Sequence, residues 1–231
     1  MTFTIVHLLP ELLGTYGDRG NVEILSWRLA QRSIDHEVLT VGVGDCVPTT
    51  ADLYLLGGGE DDAQIAALEI LEEKDSLKKA LENGAHLFAV CAGFQILGTQ
   101  FPASGGRTIT GLGLVGIETL SAKHRSVGEL LSRPSVPISM LTGFENHGGQ
   151  TRFIDELEPL GYVVSGIGNG QGSNGDGLVT SQIIATYMHG PAFARNPELA
   201  DFVLSRKLGP LSLITAPVFD QLHDERVAKV E

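Results

Sequence analysis

A cysteine, Cys91, sits in the segment LFAVCAGFQILG (residues 87–98), between an apolar run and a group of small residues. A thiol at the carboxyl end of a buried strand, on a sharp turn into a helix, is exposed for attack, and the helix N-terminus favours its thiolate. Such a turn crowds the backbone and requires small residues two places before and two after the nucleophile. Ala89 and Gly93 fill those places. The next amide, that of Ala92, is then placed to donate to an oxyanion. The competing reading is a structural thiol, because cysteine is among the most buried residue types. Cys46, in VGDCVP, lacks this setting and reads as structural.

A cysteine nucleophile needs a base. Of the seven histidines, His86 opens the strand that ends at Cys91 and so falls at its far end. His189 is the best placed: IIATYMHGP is an apolar strand ending in His-Gly-Pro, so its imidazole emerges at a sheet edge before a turn. His147, in GFENHGG, is its main competitor. The third feature is YLLGGGEDDAQ, an apolar strand running into Gly57, Gly58 and Gly59. Glycine amides there can approach a bound group and supply further oxyanion donors. A phosphate loop is not indicated, since GGGEDD lacks the Lys-Ser/Thr ending and its acids repel phosphate.

The elements that must position these residues alternate through the first hundred positions. FTIVHLL, EVLTVGV, DLYLLGG and HLFAV read as strands, and NVEILSWRLAQRS as a helix with Val22, Leu25 and Leu29 on one face. AQIAALEILEEKDSLKKALENGA reads as one long amphipathic helix closed by a glycine. Strand and helix alternating through short connections predict a mostly parallel sheet covered on both faces. From about Arg107 the pattern changes to successive strands, GLVGIETLS, VPISMLTGFE, LGYVVSGIG and SQIIATYMHG, followed by the capped helix NPELADFVLSRKLG. One α/β domain with a strand-rich second half is expected over residues 1–208, with residues 209–231 as a tail of unassigned role.

Bulk properties narrow the class. With 16 basic and 28 acidic residues the net charge is −12, and no basic stripe interleaved with aromatics is present, which argues against a nucleic-acid surface. No apolar run reaches the roughly 18 residues of a membrane helix. MTFTIVHLLP reads as a strand rather than a signal peptide. Two cysteines make no disulfide framework, which suits a reducing cytoplasm.

Taken together, the glycine turn, the cysteine elbow about thirty residues later and the strand-end histidine about a hundred beyond resemble a class I glutamine amidotransferase domain. GGGEDDAQ, CAGFQILG, GFENHGGQT and ATYMHGP resemble the branch that includes the cobyric acid synthase glutaminases. Within it they are most similar to the GatD group of glutaminase subunits, as is LLGTYGDRGNVEIL near the N-terminus.

The resemblance implies hydrolysis of glutamine to glutamate and ammonia, with Cys91 forming a thioester and His189 shuttling protons. It implies oxyanion donors at Ala92 and in the 57–59 turn, Gly58 foremost, with Gly57 and Gly59 lining the substrate site. Gln95 matches a glutamine-contacting position, and Arg125, in SAKHRSVG, a substrate-positioning arginine whose cation suits the glutamine carboxylate.

Many relatives carry a glutamate two places after the histidine, to orient the imidazole, and Pro191 stands there instead. The resemblance therefore implies a third catalytic carboxylate from a partner, the Mur-ligase-like subunit MurT, in a heterodimer that amidates the D-glutamate α-carboxylate of lipid II, and a chain that alone is a poor glutaminase. ATP with Mg, and zinc, belong to that partner, and no cofactor or metal is expected in this chain. The rival readings are a glutaminase serving another acceptor, such as a corrinoid carboxylate, and a binding module that has lost the chemistry.

Overall fold

The computed structural model describes residues 2–73 and 75–230. The chain begins β1 (Phe3–Leu8), α1 (Arg19–Gln31), β2 (His36–Val41), β3 (Leu53–Leu56), α2 (Asp61–Glu72), α3 (Ser76–Glu82), β4 (His86–Val90) and α4 (Ala92–Ile96). It continues through β5 (Gln100–Ala103), β6 (Arg107–Thr110), β7 (Ile117–Pro134), β8 (Leu141–Phe153), β9 (Gly161–Ser165) and β10 (Gly175–Asp176). It closes with β11 (Leu178–Val179), β12 (Ile183–Thr186), α5 (Ala192–Arg195), α6 (Pro197–Leu208) and α7 (Pro217–Val230).

The first sheet has the order β11-β12-β4-β3-β1-β2, parallel throughout except at the β11 edge. Its central strands are apolar on both faces: every residue of LYLL in β3 and of IIAT in β12 is buried. That continuous pattern is what a strand covered by helices on both sides needs. The edge strand β2, HEVLTV, is largely exposed.

From β1 the chain winds outward to β2, then returns to the other side of β1 to form β3. Right-handed crossovers in opposite directions place their helices on opposite faces. The loops after β1 and β3 therefore diverge at the carboxyl ends of two neighbouring strands, where open parallel sheets bind their ligands.

The second half forms a separate sheet, β10-β9-β7-β5-β6, with β8 also paired to β7. The β7–β8 ladder breaks between Ser121 and Ser126 and resumes against His147. A lone antiparallel bridge between Phe144 of β8 and His189 ties this sheet to the segment after β12.

Two expectations need correction. The single long helix is two, because Asp75 adopts a left-handed φ of 51° at the start of α3; Lys74 lies outside the described residues. The stretch read as a tail contains the fourteen-residue helix α7, which packs on α5, α6 and α1: the rings of Phe219 and Trp27 lie 5.3 Å apart, and His223 Nδ1 meets the Arg195 carbonyl at 2.9 Å. Residues 1 and 231, the outer limits of the expected domain and tail, lie outside the described residues.

Candidate active site

Cys91 occupies the predicted elbow. It follows β4 directly and caps α4 at φ 51° and ψ −107°. A non-glycine residue in that region is uncommon, and the cost of order 1–3 kcal/mol is borne by the surrounding packing. The elbow is fastened by Cys91 N–H to the Thr186 carbonyl (2.9 Å) and by Gly93 N–H to the Gly57 carbonyl (3.1 Å). A Cβ on Gly93 would lie 2.7 Å from both the Leu56 and Gly57 carbonyl oxygens, which explains the small residue after the cysteine.

His189 is fully buried. Its backbone is held by the reciprocal bridge to Phe144, at 2.8 and 3.0 Å. Its Nδ1 lies 3.1 Å from each carboxylate oxygen of Asp18, a residue itself 3% exposed. Nε2 makes no hydrogen bond to any nitrogen or oxygen among the described residues. Burial lowers the imidazole pKa, but the hydrogen-bonded Asp18 carboxylate and the neighbouring Cys91 sulfur outweigh it and bring the pKa up to about 10. Asp18 thus orients the ring through Nδ1 and stabilises its protonated form, leaving Nε2 for the thiol, the role of the buried carboxylate in a nucleophile–base–acid triad.

The expectation of a third carboxylate from a partner is joined here by a carboxylate of this chain. Pro191 cannot orient His189, but the turn after β1 brings Asp18 against it from 171 residues away. Asp18 is set at the start of α1, where Asn21 also accepts a hydrogen bond from Phe193 N–H at 3.0 Å. The segment YGDRGN therefore holds the histidine loop in two places.

The same carboxylate corrects the oxyanion assignment. Gly58 N–H donates to Asp18 Oδ2 at 2.7 Å and so does not face the thiol. A Cβ on Gly58 would sit 2.7 Å from His189 Cε1 and 3.3 Å from Cys91 Cβ, so this glycine is required for the close approach of the triad rather than for its amide. Gly57 has a packing role, since its Cβ would meet the Leu13 carbonyl oxygen at 2.2 Å. Gly59 and Ala92 line the cavity beside Cys91.

That cavity, of about 180 Å³, is also lined by Gln95, Arg125, Asn146 and His147. Gln95 is fixed on two sides: Gln64 Nε2 donates to its Oε1 at 3.0 Å, and its Nε2 donates to the Tyr187 hydroxyl at 3.1 Å. Arg125 stands exposed at the mouth, on the bulge that interrupts the β7–β8 ladder. Bulges of this kind re-aim side chains beside active sites. Arg125 Nε donates to Asn146 Oδ1 at 2.5 Å.

His147 reaches the cavity wall, but its ring stacks on Tyr187 at 3.8 Å and its nitrogens face the Gly149 carbonyl and Glu145, which leaves it a wall rather than a base. His86 lies at the opposite end of β4, as expected, and Cys46 is exposed on the turn after β2.

Sequence reasoning missed Asp18, Tyr16 and Asn146. An aspartate before a helix reads as an ordinary cap, and its partner lies too far along the chain to show in any local pattern.

A thiol on an elbow, an imidazole held by a buried carboxylate and a small cavity with a cation at its mouth, all at the carboxyl edge of a parallel sheet, make an arrangement suited to cysteine-based acyl transfer. The chain belongs to the CobB/CobQ-like glutamine amidotransferase domain family, whose sequence pattern matches residues 4–197. It is 32% identical over 205 residues to the lipid II isoglutaminyl synthase (glutamine-hydrolyzing) subunit GatD of Staphylococcus aureus, covering 88% of this chain and 83% of that one. It is also 32% identical to the GatD subunit of Streptococcus pneumoniae, over 97% of this chain and 88% of that one. A crystal structure of a glutamine amidotransferase shares the fold at a TM-score of 0.57 and 18% identity, over 87% of this chain and 98% of the other. Among the described residues no helix is long and apolar enough to cross a membrane.

Proposed function

We propose that this chain is the glutaminase subunit of a lipid II isoglutaminyl synthase. The observation that carries the catalytic part is the Asp18–His189–Cys91 relay opening onto a cavity with Arg125 at its mouth. Arg125 pairs with the glutamine α-carboxylate, which directs the side-chain amide toward Cys91. His189, whose raised pKa leaves it holding the proton, stands protonated beside the sulfur as the sulfur attacks the amide carbon. The amides of Ala92 and Gly59 receive the oxyanion. His189 passes the proton to the departing nitrogen, ammonia leaves, and a thioester remains. A water molecule deprotonated by His189 attacks the thioester and releases glutamate, restoring the thiol.

The relatives named as lipid II isoglutaminyl synthase subunits match this chain over most of their own length, which supports the same acceptor here. On this reading ammonia passes to a Mur-ligase-like partner, MurT, which uses ATP to activate the D-glutamate α-carboxylate of the lipid II stem peptide in the cytoplasm. On this reading Asp18 orients His189 within the chain and the partner's part is to accept ammonia. Glutamine hydrolysis by the full chain, assayed as glutamate release alone and with a co-purified Mur-ligase-like protein, tests both halves. Amidated lipid II forming only with both proteins and glutamine present supports the acceptor; amidation of a corrinoid carboxylate in its place contradicts it.

A further inference from the structure

We propose that Asn146 and Tyr16 are positioning residues that hold the carboxylate clamp, Arg125, at the cavity mouth, on the same pieces of chain that carry the base. The inference rests on the reading of Arg125 as the group that binds the glutamine carboxylate.

Asn146 is fixed from both ends of its amide. Its Oδ1 accepts from Arg125 Nε at 2.5 Å, its main-chain carbonyl accepts from Arg125 Nη2 at 3.3 Å, and its Nδ2 donates to the Tyr16 hydroxyl at 2.6 Å. The guanidinium has donors only, so Oδ1 must face it and Nδ2 must face Tyr16; the amide has one productive orientation. Arg125 therefore does not point freely into solvent, although it is exposed and sits on a bulge. Holding it ready removes ordering cost from substrate binding.

Tyr16 continues the link. It adopts φ 55° in the turn that leads to Asp18, a conformation costly for an aromatic residue. In return its ring lies edge-on to His189, with centroids 4.9 Å apart, while its hydroxyl reaches Asn146. The β8 strand closes the loop from the other side: Phe144, two residues before Asn146 and on the same face, pins the His189 backbone. Clamp and base are thus attached to the same two pieces of chain, the 15–18 turn and residues 144–146.

The test is inactivation of the full chain by a diazoketone analogue of glutamine, which carries the α-carboxylate and alkylates the thiol, beside alkylation by iodoacetamide, which has no carboxylate. For Asn146→Ala the half-saturating concentration of the analogue should rise about tenfold, the worth of a hydrogen bond to a charged group. The limiting rate and the iodoacetamide rate should stay within about twofold of the parent. The double variant with Arg125→Ala should be no weaker in binding than Arg125→Ala alone, because both remove one interaction. Tyr16→Phe should raise the half-saturating concentration by about threefold.

An unchanged half-saturating concentration in Asn146→Ala, with Arg125→Ala impaired, overturns the positioning role and leaves the substrate reading standing. A parallel fall in the iodoacetamide rate also overturns it, by showing general disorder of the site. An Arg125→Ala chain that binds the analogue as well as the parent overturns the reading of Arg125 itself.

Discussion

At the scale of single residues, Asp18 does two things with one carboxylate: it accepts from His189 Nδ1 and from Gly58 N–H. Asp18→Asn removes the charge that holds the imidazole, and its amide can present a donor where an acceptor is needed. Turnover is expected to fall by roughly 10²–10⁴, as when the buried carboxylate of other triads is neutralised, with little change in KM. Steady-state kinetics of glutamate release check this. The pH dependence of stability follows from the same pair. The folded-state pKa of His189, about 10, lies above its ordinary 6.5, so the folded chain binds this proton more tightly than the unfolded one. Its contribution is complete below about pH 6.5 and disappears as the pH rises through about 10. Thermal melts across that window should show the parent losing stability with rising pH more steeply than His189→Ala. Cys91, Ala92, Gly93 and His189 were legible in the sequence because an elbow and a strand end are local patterns. Asp18, Tyr16 and Asn146 were not, because each acts through a contact between distant segments.

At the scale of elements, the strands around the site do more than carry residues. The bulge in β7 places Arg125 over the cavity, and a Cβ on Gly149 of β8 would lie 2.4 Å from Gln95 Nε2, so the second sheet presses directly on the floor of the site. Reading GLVGIETLS as a complete strand stopped short of this, because β7 runs on through the polar stretch SAKHRSV where alternation is lost. Helix α7 was missed for a related reason: its sequence, PVFDQLHDERVAKV, has little apolar character, and only His223 is buried. It holds by points instead. Phe219 meets Trp27, His223 meets the Arg195 carbonyl, and Arg226 approaches Glu129 at 3.7 Å while Arg195 donates to the same carboxylate. Phe219→Ala should destabilise the chain by about 1–3 kcal/mol, read as a Tm about 2–10 °C lower. A Tm unchanged by this substitution would show that α7 is not fastened there.

At the scale of the whole molecule, the winding of the first sheet explains why the site is where it is. The chain reverses direction at β1 and β3, so the Asp18 turn and the glycine turn open at neighbouring strand ends, and β4 delivers Cys91 beside them. The parallel sheet, the strand-rich second half and the family were all readable from apolar runs and four short motifs. The meeting of the two sheets through Phe144 and His189 was not, since a two-residue bridge leaves no periodicity in sequence. On the proposed reading, Cys91, His189 and Asp18 of this one chain hydrolyse glutamine. The most direct measurement is glutamate release from glutamine by the full chain, alone and with its Mur-ligase-like partner, for the parent, Cys91→Ala, His189→Ala and Asp18→Asn. Turnover is expected in the parent, none in Cys91→Ala or His189→Ala, and the same large loss for Asp18→Asn with or without the partner. Turnover that survives Cys91→Ala, or an Asp18→Asn chain as fast as the parent in both settings, would contradict that reading.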